Sequence, residues 1–435
     1  MDVSQKLFLL AAFAIGTLFL HTSEAVEAPK NPSSEEVNQV FGIPLFSKEN
    51  LWSEPARNVA ERLGLKMESE TSYESGYRLY PEAGASVLGT RPFSIFLQGI
   101  AGRTSRLSFI FANKGDISVY ATQNDERRAL TSENHDMVVS PQMLQAYKAA
   151  IRHDGDRLEL ALTTLLGPPN PITLGMVSNM EERGERWDWR GSSFILFSPR
   201  NEYVALRILS TKLFSDTDAE RNSFEKSKDL ISNRVIHRSN GDVVIGDIPM
   251  VDQGEKGYCV PATYERVLRY YGLTADMNVL AMAGETQAGG GTSMAKIADA
   301  AFELVREAGG RITSGIGAVR ISDISPYIDK GEPVLWALDS SDELNDRLGG
   351  RMIGREGVTD TNAALAWCEK ILPSIRASAR TLPRNGAHVC LIIGYNHLTR
   401  ELAISDSWGP GFSERWLTEE EAQAVNLGDG TVIGW

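Results

Sequence analysis

Four polar residues towards the C-terminal end of the chain have the side chains that nucleophilic thiol catalysis requires. Cys259 is predicted to begin a helix, because the apolar positions after it have helical spacing and Pro261 is tolerated only in a first helical turn. The free N–H groups at a helix N-terminus favour the reactive thiolate over the thiol. A thiolate nucleophile also needs a general base, a group that orients the base and a donor to the oxyanion. The candidates for these three roles are His388, Asp406 and Gln253.

Two predicted strands bring the candidate base and its orienting group together. His388 opens an apolar strand over residues 387–395, and Asp406 lies in the next strand, over residues 402–407. The short connection between the strands has the length of a hairpin turn, so Asp406 is expected beside His388. Trp408 is two residues further on and is expected on the same strand face as Asp406, where it would cover the hydrogen bond between Asp406 and His388.

Four motifs in the same order resemble those of the papain-like cysteine peptidases. They are Gln253-x5-Cys259-x2-Ala262, Arg269-Tyr-Tyr-Gly272, Gly386-Ala-His388-Val and Asp406-Ser-Trp-Gly409. The resemblance covers about residues 245–435 and is strongest to the branch that includes the bacteriocin-processing (double-glycine leader) peptidases. It implies that Cys259 is the nucleophile and His388 the general base and acid. It also implies that Asp406 orients His388 and that Gln253, with the backbone N–H of Cys259, donates to the oxyanion.

Several interpretations of this segment stay open. A cysteine at a helix start or a histidine in an apolar strand is, taken singly, more often structural, but the joint presence of Cys259, His388 and their partners favours an active site. Peptide hydrolysis is not separated by sequence from deamidation, isopeptide cleavage or transpeptidation, because these reactions share all steps up to the acyl-enzyme. An inactive peptidase-like binding module is a third alternative, which the complete set of candidate residues disfavours.

The composition excludes several other classes of protein. The 435 residues include 44 basic and 57 acidic side chains, and the resulting net charge of −13 argues against a dedicated nucleic-acid binder. The six histidines form no HExxH motif and the three cysteines no CxxC motif, so no metal and no other cofactor is predicted. Cys368 and Cys390 are interpreted as buried thiols, with a disulfide between them as the alternative. The expected partner is a peptide or protein substrate.

The N-terminus has the pattern of a secretory signal peptide. Residues 7–20 form an unbroken apolar run, and Ser23 and Ala25 place small residues before a cleavage site after Ala25. The run is shorter than the roughly 20 apolar residues that cross a bilayer, and an uncleaved membrane anchor is the alternative. We therefore expect a secreted or periplasmic protein that lacks residues 1–25 and has no stable membrane insertion after signal cleavage.

The rest of the chain is predicted to be α+β, with two domains joined by polar segments. Residues 26–40 and 213–244 are interpreted as linkers, 41–212 as an α+β domain of open role, and 245–435 as the papain-like domain. In the first domain a helix followed by strands occurs twice, which indicates a possible repeat. Few contacts are expected between the two domains that the second linker joins, so a fragment from Asp242 to the C-terminus is expected to fold alone.

Two local expectations concern segments near these elements. Residues 117–121 are rich in β-branched and aromatic side chains and are predicted to form a strand. The glycine-containing residues 349–357 are predicted to be a mobile stretch that borders the cleft, followed by a helix near residues 362–379.

Overall fold

The computed structural model describes residues 30–48, 50–121, 138–175, 177–214, 234–384 and 386–435. The predicted signal peptide, residues 1–25, lies outside these ranges. The described chain combines helices with two antiparallel sheets, so the α+β class is confirmed. Within the ranges given above, no helix is both long enough and apolar enough to cross a membrane.

The N-terminal sheet has eight strands in the order β1-β2-β3-β4-β8-β7-β6-β5. Its strands are β1 (Lys66–Glu70), β2 (Glu74–Leu79), β3 (Ser94–Ile100), β4 (Arg103–Asn113), β5 (Asn170–Leu174), β6 (Glu182–Trp189), β7 (Ser192–Phe197) and β8 (Tyr203–Ser210). Its helices are α1 (Ser34–Phe41), α2 (Ala56–Arg62) and α3 (Pro141–Leu166). Because α2 precedes β1 to β4 and α3 precedes β5 to β8, a helix followed by four strands occurs twice, and β4 meets β8 at the centre of the sheet.

The C-terminal sheet has the path β11-β16-β12-β13-β10-β9, with β14 on β13 and β15 on β14. Its strands are β9 (Val235–His237), β10 (Asp242–Ile245), β11 (Arg311–Ser314), β12 (Val334–Asp339), β13 (Ala387–Asn396), β14 (Glu401–Ser405), β15 (Arg415–Thr418) and β16 (Asn426–Gly434). Its helices are α4 (Cys259–Tyr270), α5 (Met277–Ala283), α6 (Met294–Glu307), α7 (Ile321–Ile328), α8 (Asp342–Arg355), α9 (Thr361–Ser378) and α10 (Glu419–Val425).

Both faces of the N-terminal sheet are buried, because alternate side chains on its central strands enter two different cores. The residues on one face, which share a core with α1, α2 and α3, include Leu107, Phe109, Val204 and Leu206. The residues on the other face, which share a core with α4 and α5, include Ile110, Ile195, Phe197 and Tyr203. The C-terminal helices therefore cover the second face of the N-terminal sheet, and the two domains share one continuous core.

Helix α4 lies at the junction of the two domains, and every residue from Val260 to Tyr270 is buried. Polar contacts cross the junction as well as apolar ones. The Arg269 guanidinium lies 2.7 Å from a carboxylate oxygen of Glu74 on β2, and the Tyr73 hydroxyl donates a hydrogen bond of 2.6 Å to the Arg269 carbonyl. The expectation that few contacts cross between the domains is therefore wrong.

Both segments interpreted as linkers contain regular structure. Helix α1 lies mostly within residues 26–40, and its Val37 and Phe41, four residues apart, share one buried face. Strand β9 and all but the last residue of β10 lie within residues 213–244, and β10 pairs with β13 in the C-terminal sheet. The helix α1 and the strands β9 and β10 have too few apolar residues for a clear sequence pattern, but these elements complete existing layers of the fold.

Two local expectations are corrected. Residues 117–121 do not form a strand, because Lys114–Tyr120 is a 3-10 helix whose first turn is capped by the side chain of Asn113. Residues 349–355 belong to α8, where Leu344 and Leu348 are buried on one face and outweigh the low helix propensity of the glycines. The helix expected near residues 362–379 is confirmed as α9.

Candidate active site

Cys259 is the first residue of α4 and is half-buried. Burial alone would raise the pKa of its thiol, but the hydrogen bond and positive charge of His388 outweigh this effect and lower the pKa. Backbone N–H groups of Val389 and Val260 add to the lowering. Cys259 therefore has the environment of a reactive thiolate.

His388 is buried near the start of β13 and lies between the thiol and a carboxylate. Its Nε2 is 3.0 Å from Oδ1 of Asp406, which leaves Nδ1 as the ring nitrogen for Cys259. Burial disfavours the charged ring, but the hydrogen bonds and charges of Asp406 and Cys259 dominate and raise the pKa of His388 to about 9. The three side chains thus form a hydrogen-bonded series that favours a thiolate–imidazolium pair.

A β-bulge decides which face of the sheet Asp406 occupies. The pairing of β13 with β14 skips Ile393, which has no partner on β14. A shift of one residue moves every later side chain of a strand to the opposite face. In the observed register Ser405 pairs with Leu391. The next residue, Asp406, therefore lies on the face that carries His388, and without the bulge it would lie on the other face.

Trp408 covers the imidazole, as its position after Asp406 led us to expect. The rings of Trp408 and His388 are stacked, with centroids 4.4 Å apart and an angle of 27° between the planes. Phe412 meets Trp408 edge-on at 5.5 Å. The two aromatic rings limit the access of water to the bond between His388 and Asp406, and this strengthens that bond.

Arg415 is a member of the site that the sequence reasoning missed. Its Nε and Nη2 lie 3.0 and 2.7 Å from Oδ2 of Asp406, and both residues are buried. Burial would raise the pKa of Asp406, but His388 and Arg415 together hold it below its usual range. Arg415 is the first residue of β15, whose other residues are buried, and a charged residue at such a position was the available signal that a buried partner exists.

Arg266, on α4, forms hydrogen bonds to two segments, the one that leads to Gln253 and the one that leads to Asp406. This fully buried guanidinium donates to the Pro249 carbonyl at 2.9 Å and to the Ser405 carbonyl at 3.1 Å. Pro249 precedes Gln253 in the chain, and Ser405 precedes Asp406. Burial lowers the pKa of Arg266 to about 10. Arg266 therefore fixes both segments to the helix that begins at Cys259.

Gln253 lies in the segment before α4, and its position is set by two hydrogen bonds. Its backbone N–H donates to the Ser407 carbonyl at 2.9 Å, and its side-chain Nε2 donates to the Lys256 carbonyl at 2.9 Å. A primary amide nitrogen carries two hydrogens, and this second bond uses only one of them. Gln253 thus lies next to the residue that follows Asp406 and keeps one N–H for a ligand.

The other cysteines do not take part in this arrangement. Cys368 and Cys390 are free thiols, so the disulfide alternative is not realised. Burial raises the pKa of both thiols, and for Cys390 the shift is large. In the described part of the chain, no three histidine, cysteine or acidic side chains are grouped as metal ligands.

The C-terminal part of the chain is similar to a family of peptidases. Residues 245–426 match the family model described as the Peptidase_C39 like family, and the match spans all four candidate residues. The resemblance to the bacteriocin-processing branch of papain-like peptidases is thus confirmed for this domain. No curated protein matches the chain.

Proposed function

We propose that the protein is a cysteine peptidase that cleaves peptide bonds through a thioester on Cys259. The observation that carries the proposal is the hydrogen-bonded series from Cys259 through His388 to Asp406 at the start of α4. The family match over residues 245–426 supports peptidase activity and, with it, a peptide or protein substrate.

The steps of the reaction follow from the charges of the Cys259 thiolate and the His388 imidazolium. The Cys259 thiolate attacks the peptide carbonyl carbon, and the tetrahedral oxyanion accepts hydrogen bonds from the Cys259 backbone N–H and the free N–H of Gln253. The His388 imidazolium then gives its proton to the leaving amine, and a thioester remains on Cys259. Neutral His388 next takes a proton from water, and the hydroxide displaces the thiolate and releases the carboxylic acid. Asp406 stabilises the imidazolium before the proton is given to the amine and again after it is taken from water.

The same groups would serve deamidation, isopeptide cleavage or transpeptidation, since these reactions differ in the leaving amine or in the group that attacks the thioester. Peptide-bond hydrolysis is preferred here because the family match is to peptidases. A mass-spectrometric screen of a peptide mixture distinguishes them, because hydrolysis yields two shorter peptides, deamidation a change of about 1 Da and transpeptidation a joined product.

We further propose that the protein acts outside the cytoplasm. This part rests on the apolar run over residues 7–20 and on Ser23 and Ala25, all of which lie outside the described residues. We expect the exported protein to begin at Val26. N-terminal sequencing of the protein from its native host tests this, and a start at Met1 in the membrane fraction would indicate the uncleaved anchor instead.

The central test is the replacement of Cys259. The Cys259→Ala variant is expected to lose all p-nitrophenyl acetate turnover and all peptide cleavage, because no other thiol has a base in contact. In the wild type, limited iodoacetamide should modify Cys259 at least roughly 10-fold faster than Cys368, since only the thiolate reacts. Cys368→Ala is the matched control and should keep full activity. Cleavage by the Cys259→Ala variant would refute the proposal.

A further inference from the structure

The segment that carries Gln253 is held to a large extent by the N-terminal domain. It runs from the end of β10 to the start of α4, residues 246–258, and is called the oxyanion loop below. Two residues of β1 reach it. The Met250 N–H donates to Oγ of Ser69 at 2.9 Å, and the Asp252 N–H donates to Oε1 of Glu68 at 2.7 Å.

The residue immediately before Gln253 is fixed at both of its backbone polar groups. Glu68 accepts from the N–H of Asp252, and the hydroxyl of Tyr80 donates to the carbonyl of the same residue at 2.5 Å. Glu68 is itself held by Arg78, whose Nε lies 2.5 Å from the same carboxylate oxygen. The peptide group that leads into Gln253 therefore has little freedom to rotate.

A second set of contacts fixes the acceptor that orients the Gln253 side chain. That acceptor is the carbonyl of Lys256, a buried residue whose Nζ lies 3.0 Å from Oδ2 of Asp116 in the 3-10 helix. The same Nζ lies 5.1 Å from the centre of the Tyr80 ring. Asp116 is in turn held by the side-chain amide of Asn113 at 2.7 Å.

The 3-10 helix also packs closely on the residue before the nucleophile. A Cβ built on Gly115 would come within 2.8 Å of both the Lys256 side chain and the Tyr258 ring, so any larger residue would force one of these groups to shift. Tyr258 is buried and immediately precedes Cys259. The N-terminal domain thus contacts the oxyanion loop on both sides of Gln253.

These contacts matter because the oxyanion loop has no regular secondary structure of its own. Stabilisation of an oxyanion depends on donors that are already in place when the charge develops, since a donor that must be ordered first contributes less. The C-terminal domain supplies the Gln253–Ser407 bond and the Arg266–Pro249 bond. The N-terminal domain instead fixes Asp252, the residue before Gln253, and Lys256, whose carbonyl accepts the hydrogen bond from the Gln253 side chain.

We propose that the N-terminal domain is a structural part of the oxyanion site, in which Tyr80, Glu68 and Asp116 are positioning residues that act through Gln253. The inference rests on the proposed function, because it assigns a role to a domain that supplies no reacting group. It gives residues 41–212 a function in catalysis other than substrate recognition or masking of the cleft.

The test compares two reactions of Cys259 in the full chain. Alkylation by iodoacetamide forms no tetrahedral oxyanion, whereas acylation by p-nitrophenyl acetate does. Tyr80→Phe removes one hydroxyl and is expected to slow acylation by about 10-fold, a part of the roughly 10²-fold or larger loss that removal of a whole oxyanion donor causes. It should leave the alkylation rate unchanged. Asp116→Asn, which breaks the ion pair with Lys256, is the second variant and should act in the same direction.

Tyr73→Phe is the matched control. Tyr73 is also half-buried and also donates across the domain junction, but to the carbonyl of Arg269, about 15 Å along α4 from Cys259. This variant should show a similar change in Tm and no change in the acylation rate.

The decisive comparison repeats Tyr80→Phe in a Gln253→Ala background. A residue that acts through Gln253 should have no further effect once the amide is absent, so the double variant should acylate as slowly as Gln253→Ala alone. An equal loss in both backgrounds, or no loss in Tyr80→Phe and Asp116→Asn, would overturn the inference while the proposed function stands. If the wild type shows no acylation that depends on Cys259, the proposed function fails and this inference fails with it.

Discussion

Replacement of His388 with alanine is expected to lower the rate of Cys259 acylation by p-nitrophenyl acetate by about 10³-fold at pH 7. General acid–base catalysis alone contributes roughly 10²–10⁴-fold, and here the same residue also lowers the pKa of the Cys259 thiol. Without the imidazolium, burial would leave Cys259 mainly as a neutral thiol near neutral pH. The measurement is the initial release of p-nitrophenol, together with the rate of iodoacetamide alkylation.

The pH dependence gives this prediction a second readout. In the wild type, peptide cleavage should rise as the pH increases through the lowered pKa of Cys259, where the thiolate forms. It should fall again as the pH passes about 9, where His388 loses the proton that the leaving amine requires. In His388→Ala the alkylation profile should move to higher pH, because the thiol then titrates without its positive neighbour.

His397→Ala is the control for this experiment, since His397 is exposed in the turn after β13 and contacts Tyr395 rather than the site. It should keep the wild-type rate and profile. Wild-type alkylation at pH 7 by His388→Ala would contradict the assignment of a thiolate–imidazolium pair.

Removal of the N-terminal domain is expected to abolish cooperative folding of the C-terminal part. A fragment from Asn222 to the C-terminus keeps β9 and all four candidate residues, yet it exposes the face of α4 and α5 that the N-terminal sheet covers. It also removes Glu74 from buried Arg269, and Arg207 from Asp276. Breaking a buried pair by removal of one partner is strongly destabilising, at about 3–5 kcal/mol for a pair. Thermal unfolding followed by circular dichroism should show no single sharp transition.

Co-expression of the two parts tests whether the fragment fails because it lacks the contacts with the N-terminal domain or because the chain has been cut. If residues 26–221 are produced together with the fragment from Asn222, the two chains should co-purify and recover both the cooperative transition and the alkylation of Cys259. The covalent link raises the effective concentration of one part for the other. A fragment that unfolds cooperatively without its partner would show that the shared core is dispensable and would restore the earlier expectation of independent folding.

The candidate residues could be predicted from sequence because each depends on a local signal. The start of α4 at Cys259 follows from the spacing of buried residues after it and from Pro261 in the first turn. The bounds of β13, which carries His388, and of β14, which immediately precedes Asp406, were predicted to within two residues. Trp408 was assigned from its place in the same strand pattern. Their roles in catalysis stay predictions.

The partners of these residues were not predictable in the same way, since their contacts depend on how strands and domains pair in three dimensions. Arg415 is only nine residues from Asp406, yet it reaches the carboxylate because β15 pairs with β14, and strand alternation does not give the register of that pairing. Likewise Glu68 and Tyr80 lie more than 170 positions before Asp252, the residue that they fix. Strands β9 and β10 were missed for a related reason, because they gain their stability from a sheet that the rest of the chain forms.

The sequence by itself determined the four candidate residues, their order and the helix start at Cys259, because local periodicity and helix-terminus chemistry operate within a few turns or strands. The tertiary structure decided which face Asp406 occupies, since the unpaired Ile393 shifts the register of β14 by one residue and such a shift is not encoded in strand alternation. It also decided that the N-terminal domain is not a separate module. A sheet with two apolar faces must bury both, and the helices that cover its second face include the one that begins at Cys259.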